Sequence, residues 1–192
     1  MTSRIQSLGP GDSPDPEVNE ILQRWRDGLW GDAGMLGGIA VSPELLKATM
    51  GVVDVMWPGE GTEMLTGHLI ELMRMKTASA RGCAYCESVR TKAVRDITVT
   101  KEDEVAKFQP MPNENLTLRE SLAIRLAERM AIDPRTVDDA FMAEVKAEFT
   151  DDEIVELVFG AGVAILGSSF AIALNLDSET QTFSYQNVLA RA

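Results

Sequence analysis

The chain has 192 residues, of which 45% are hydrophobic and 25% charged, with a formal net charge of −12. That is enough chain for one domain with a real core, and an ordinary soluble composition. A uniformly acidic chain has no electrostatic grip on phosphate backbones, so nucleic acid is excluded as an expected partner, and anionic membrane surfaces are disfavoured for the same reason.

The elements follow in chain order. Residues 1–16 contain Gly9-Pro10-Gly11-Asp12-Ser13-Pro14-Asp15-Pro16, which sustains neither helix nor central strand; they are expected to form a flexible lead to a single domain over 17–192. The opening residues carry no apolar run of the kind a signal peptide needs, so a cytoplasmic protein with its thiols in a reducing compartment is expected. Over 17–27, Val18, Ile21, Leu22 and Trp25 recur at helical spacing, and a glycine-rich connection over 28–38 follows. Ser42-Pro43-Glu44 predicts a helix start, with Ser as N-cap and Pro in the first turn; Leu45, Leu46, Thr49, Val52, Val53 and Met56 continue it to the stop at Trp57-Pro58-Gly59. A helix over 63–80 carries Leu65, Leu69, Leu72 and Met73 and breaks at Arg81-Gly82, and another begins at or near Cys83 and runs to about residue 95. A short helix is predicted over 101–108, before the interruption at Pro110-Met111-Pro112-Asn113.

Two capping boxes mark the C-terminal part. Thr117 with Glu120 opens a helix to about residue 130, and Thr150 with Glu153 opens a long apolar one. Between them, 137–149 places Phe141, Val145 and Phe149 on one helical face. Ile97-Thr98-Val99-Thr100 is the single β-like run and too short to found a sheet, so the fold class is all-α. The stretch 157–176 has no charge over twenty residues, the length of a membrane span. Its glycines and serines, the acidic residues crowding its start and its lack of basic or aromatic anchors favour instead a buried helix packed through small residues, partly by other subunits, and no membrane partner.

The chemistry concentrates at Cys83-Ala84-Tyr85-Cys86, which holds the only two cysteines. Thiols at that spacing can close an internal disulfide, so they form a candidate redox centre. Residues three apart share a helix face. A Cys83 in the first turn would sit among unpaired amides at the positive end of the dipole, which favours its thiolate. Arg90, four after Cys86, adds a positive charge, and Glu87, four after Cys83, opposes it. Three other readings stand beside this one. The pair can be buried, reduced and inert. It can be half a zinc site, which with His68 as the only histidine would need carboxylates. A thioredoxin-like fold would need βαβ units that the pattern lacks. Glu71, twelve residues before Cys83, can face the thiols if the chain folds back at Arg81-Gly82, and a carboxylate there is a candidate general base; an isolated surface Glu is the alternative. Arg74 and Arg81 can bind an anion or be surface charges.

Glu71, eleven intervening residues, then Cys83-Ala84-Tyr85-Cys86 resembles the alkylhydroperoxidase AhpD-like and carboxymuconolactone decarboxylase family, whose pattern is E-x11-C-x-x-C-x-x-x-H. The stretches around Leu118-Arg119-Glu120 and from Phe149 to Leu157 are similar to that family's flanking helices, so the resemblance covers about residues 40–176. It implies an AhpD-like helical domain that oligomerises through packed helices, as a homo-oligomer (trimer or hexamer). It implies a thiol peroxidase or disulfide oxidoreductase acting on a small hydroperoxide or disulfide, with no bound cofactor or metal, an external dithiol reductant and a redox partner protein. Carried over, Cys86 is the peroxidatic thiol, Cys83 the resolving thiol and Glu71 the anchor of the proton relay. Three positions depart from the pattern. The motif histidine is Arg90, which cannot accept a proton at working pH but can hold a Cys86 thiolate electrostatically. Tyr85 stands where the AhpD branch has histidine. Ser168-Ser169-Phe170 replaces an Asn-Arg common in the last helix. His68, one turn before Glu71, is the imidazole available to complete the relay. A non-redox oligomeric binding protein, and a lyase acting on a small lactone or acid as in the decarboxylase branch, are the alternatives the same resemblance carries.

Overall fold

The computed structural model describes residues 3–28, 31–56, 67–89 and 116–176, which in the described residues form eight α-helices, one 3-10 turn and no strand. The helices are α1 (Pro16–Asp27), α2 (Gly34–Ile39), α3 (Pro43–Met56), α4 (Gly67–Arg81), α5 (Ala84–Ser88), α6 (Leu118–Ile132), α7 (Asp139–Glu148) and α8 (Asp151–Leu174), with the 3-10 turn Pro134–Thr136 before α7. The fold class is all-α, as the sequence predicts. The β-like run at 97–100, the helix at 101–108 and the breaks at 57–59 and 110–113 lie outside the described residues. The chain divides into two compact units, one of Met1–Thr62, Ala84–Ala93 and Ser169–Ala192, the other of Glu63–Cys83 and Val94–Ser168.

In the first unit α1, α2 and α3 bury Val18, Leu22, Leu36, Leu46, Met50 and Val53, with Leu8, Trp25 and Phe170 packed against them. Asp15 caps α1 by accepting from the Glu17 N–H, and Pro16 takes the first helical position. Lys47 of α3 reaches both Asp15 (2.9 Å) and Glu17 (2.8 Å), tying the two helix starts together. Of the apolar stripe expected in α3, Leu46, Val53 and Met56 are buried, whereas Leu45 and Val52 are exposed. The N-terminal lead is tied down at several points. The Arg4 N–H donates to the Leu174 carbonyl (2.8 Å) and the Leu8 N–H to the Gly37 carbonyl (3.0 Å). Asn19 accepts from the Gly11 and Ser13 amides and donates to the Ser13 carbonyl. Glycine is required at 37: a Cβ there would stand 2.3 Å from the Leu8 carbonyl oxygen.

In the second unit α4 packs on α6 through Leu72, Met75, Leu116 and Ile124. The Thr117–Glu120 capping box is complete, each side chain satisfying the other residue's amide. Phe141, Val145 and Phe149 are buried on one face, as their spacing predicts. Arg125 and Arg129 stack on the Phe141 ring at 4.9 and 4.2 Å, and Arg119 lies over Phe149 at 4.1 Å. The second capping box is half formed. Glu153 accepts from the Thr150 N–H (2.8 Å), but the Thr150 hydroxyl donates to Asp152 (2.6 Å). Glu153 is also held by Arg119 (2.7 Å), and the two cationic and amide donors keep its carboxyl below the usual range.

Within a single chain, helix α8 is only partly covered. Its most apolar window is 33% buried, and Val155, Phe159, Leu166 and Ile172 are exposed, although by length and composition it could cross a bilayer. It ends at Asn175 in the left-handed region (φ 50°), where the Leu176 N–H reaches the Ala171 carbonyl (3.0 Å) and the Asn175 N–H the Ile172 carbonyl (3.2 Å). This is the Schellman closure, with asparagine in the place glycine more often takes.

Candidate redox site at Cys83 and Cys86

The motif begins with the way α4 ends. Gly82 adopts φ +64°, and its N–H donates to the Ser79 carbonyl (3.1 Å) while the Cys83 N–H donates to the Ala78 carbonyl (2.9 Å). This is a second Schellman closure, here with the glycine that the left-handed region favours. Helix α5 therefore starts at Ala84 rather than Cys83, and the Cys83 amide is spent on α4. Cys83 closes α4 with its own amide and stands directly before the first residue of α5, the start that the sequence places at or near it. Both sulfurs are buried, and the two cysteines are disulfide-bonded.

Glu71 lies in the middle of the α4 packing face and is fully buried, with Leu72 and Met75 beside it in the core. Its surface alternative is therefore excluded. One turn later Arg74 meets it in a two-pronged pair: Nε to Oε2 at 2.7 Å and Nη2 to Oε1 at 2.6 Å, with a further Nη2 contact to the Met75 sulfur at 3.5 Å. Parallel bonds of this kind are strong because both partners are charged and the guanidinium matches the carboxylate geometry. Arg74 is buried, not the surface charge that was the alternative for it. The same helix buries Lys76, whose ammonium reaches Glu128 of α6 at 3.2 Å. Burial pushes the Lys76 pKa down, and Glu128 offsets part of that shift. Thr77 is buried as well, and its hydroxyl has no hydrogen-bond partner among the described residues. Arg81 reaches the Ala131 carbonyl at 3.4 Å.

Tyr85 points its hydroxyl at α2. It donates to the Asp32 carboxylate (2.7 Å) and accepts from the Met35 N–H (2.8 Å), and the same Asp32 oxygen accepts from the Gly34 N–H (2.8 Å). Asp32 is 1% exposed. Sequence reasoning missed this residue, placing it in a glycine-rich connection. The available signal was an aspartate two residues ahead of a chain amide, the Asx turn that often opens a helix. Ser88 closes α5 from the other side, its hydroxyl donating to the Tyr85 carbonyl (2.8 Å).

His68 lies in α4, one turn before Glu71, and its side chain is outside the described residues, as is Arg90 altogether. Among the described residues no group of three His, Cys, Asp or Glu side chains is arranged to hold a metal ion.

No family model matches the sequence. Two uncharacterized proteins from two strains of Mycobacterium tuberculosis are each 31% identical over 91 residues, a stretch that is 46% of this chain and 31% of theirs. The chain thus spans under a third of the length of the curated relatives it matches. Solved structures carry the fold. An uncharacterized peroxidase-related protein from Silicibacter sp. TM1040 superposes with a TM-score of 0.73 at 16% identity, covering 94% of each chain. The debrominase Bmp8, in complex with 2,3,4-tribromopyrrole, superposes with a TM-score of 0.75 at 17% identity, covering 100% of this chain and 98% of its own. An AhpD-core, peroxidase-related protein from Ralstonia eutropha JMP134 gives 0.70 at 18% identity over 92% of each chain. The chain has the AhpD-like helical fold.

Proposed function

We propose that this AhpD-like chain is a thiol oxidoreductase that reduces organic hydroperoxides, or exchanges disulfides, through Cys83 and Cys86. The observation that carries the reading is the disulfide itself: the only two cysteines are joined to each other at the head of α5, beyond a closure at Gly82 whose positive φ favours glycine. In the cycle, the Cys86 thiolate attacks the outer oxygen of ROOH. The O–O bond breaks, the sulfur becomes a sulfenic acid and RO⁻ leaves, taking a proton to give ROH. The Cys83 thiolate then attacks the sulfenic sulfur, forming the disulfide and expelling hydroxide, which takes up a proton to leave as water. An external dithiol returns two electrons and two protons in a reducing cytoplasm, directly or through a redox partner protein.

Arg90 enters as the permanent charge that holds Cys86 as thiolate. Glu71, fixed by Arg74, anchors the proton relay, and His68 supplies the imidazole that the motif position lacks. Homo-oligomerisation, as a trimer or hexamer, belongs to the same reading, and the exposed apolar residues of α8 supply a surface for it.

A second substrate class is favoured by the likeness to a debrominase. A dithiol can debrominate a bromopyrrole reductively: the carbon–bromine bond is replaced by carbon–hydrogen, bromide and a proton leave, and the two thiols close to the disulfide. The same two cysteines serve, so the readings differ in electrophile rather than in machinery.

The test is hydroperoxide consumption with a dithiol reductant, comparing wild type with Cys86→Ser, and then bromide release from 2,3,4-tribromopyrrole with the same pair. Turnover in wild type that is lost in the variant is expected. Unchanged alkylation-resistant thiols and no turnover with either electrophile would refute the reading and leave the binding-protein or lyase alternatives.

A further inference from the structure

We propose that Asp32 is a positioning residue for the Cys83–Cys86 couple: its bond to the Tyr85 hydroxyl holds α5 in place and thereby sets the balance between disulfide and dithiol. The inference rests on the redox reading above and adds to it a residue from the turn that opens α2.

Helix α5 has five residues, too few to keep its shape alone. What holds it is a tether to a segment 53 residues away in sequence, where the Tyr85 hydroxyl is engaged twice, as donor to Asp32 (2.7 Å) and as acceptor from the Met35 N–H (2.8 Å). The Asp32 oxygen is itself fixed by the Gly34 N–H and buried, so it presents one acceptor in one place. A phenol whose proton is given to a carboxylate and whose lone pair takes an amide is committed to position.

The consequence for the couple follows from which state needs the tether. In the disulfide form Cys86 is held covalently. In the dithiol form that restraint is gone, and the tether helps keep the two sulfurs within reach, maintaining a high effective concentration of one thiol at the other. Loss of the tether frees the opened state more than the closed one. The equilibrium then moves toward dithiol, and the potential becomes less negative. A hydrogen bond to a charged acceptor is strong enough to move the equilibrium constant about tenfold, which for a two-electron couple is about 30 mV.

The experiment equilibrates wild type, Tyr85→Phe, Asp32→Asn and the double variant in buffers of reduced and oxidised dithiothreitol, and quantifies free thiols by alkylation and mass. One dithiothreitol opens one protein disulfide and closes to its own cyclic disulfide, so the thiol count gives the constant directly. The expected result is a shift of about tenfold toward dithiol for Tyr85→Phe, a smaller one in the same direction for Asp32→Asn, and no further shift in the double variant. A tether that is merely structural would lower melting temperature and leave the constant alone: values within twofold of wild type in both single variants would overturn the inference. Should Tyr85→Phe fail to fold, Asp32→Asn, which keeps an acceptor oxygen of the same shape, decides. A wild-type disulfide that no dithiothreitol ratio opens would sink the redox reading and this inference together; a titrating wild type with unshifted variants would sink the inference alone.

Discussion

Replacing Arg74 by methionine leaves the fully buried Glu71 carboxylate without its guanidinium. The pair has two short charged bonds, at 2.7 and 2.6 Å, and the side chains are 0% and 10% exposed. Water therefore cannot take over the lost partner. Removing one member of a buried ion pair typically costs about 3–5 kcal/mol, because the charge left behind is desolvated and uncompensated. For a chain of this size each kcal/mol moves the melting point by roughly 2–4 °C, so a fall of about 10 °C is expected. Removing both charges behaves differently. Glu71→Leu with Arg74→Met substitutes apolar atoms of similar bulk and should return stability to within about 1 kcal/mol of wild type, or above it. Glu71→Gln keeps the shape and one acceptor oxygen and should lie between, with a loss of about 1.5–3 kcal/mol. Urea denaturation followed by far-ultraviolet circular dichroism and by tryptophan fluorescence measures all four proteins. A loss under about 1 kcal/mol in Arg74→Met, or a double variant as unstable as the single one, would refute the argument. Hydroperoxide turnover in the double variant then separates architecture from chemistry: if it folds as well as wild type and turns over as fast, Glu71 has no part in the proton relay.

Gly37→Ala is expected to detach the N-terminal segment, since the new Cβ would stand 2.3 Å from a backbone oxygen that cannot rotate away. Overpacking of about 1–3 kcal/mol outweighs the roughly 1 kcal/mol that alanine gains over glycine in a helix. Hydrogen exchange at the Leu8 amide should accelerate, and a net gain in stability would show the docking to be wrong. Lys76 gives a pH signature. Its folded pKa is lowered by burial, so between that value and the unfolded value of 10.5 the unfolded chain binds the extra proton and stability rises with pH. Stability measured from neutral to alkaline pH should carry a rising component in wild type that is missing in Lys76→Met; identical slopes in the two proteins would contradict it.

Much of the local architecture is legible in the chain because it depends on neighbours a turn apart. The Thr117–Glu120 box, the proline start of α3 and the Phe141, Val145 and Phe149 face are relations of three or four residues, and the structure has them as the pattern implies. So is the cysteine pair, whose spacing permits its own disulfide. Local signals can still mislead by one residue or one bond. Cys83 is drawn into the closure of α4 because Gly82 can take a positive φ, and the Thr150 hydroxyl gives its proton to Asp152, an acidic acceptor two residues on.

What no window of the sequence contains is the pairing of distant residues and the water it removes. Glu71 and Arg74 sit one turn apart in any helix, but whether they form a screened surface pair or a buried one depends on α6 covering α4. Asp32 lies 53 residues from Tyr85, and Leu8 meets Gly37 from the far side of α1 in the chain. The physical reason is the difference in what selects each contact. Periodicity and capping are decided by backbone geometry within a few residues. Long-range contacts are decided by which surfaces exclude water together, after the chain has met the entropy of bringing them near.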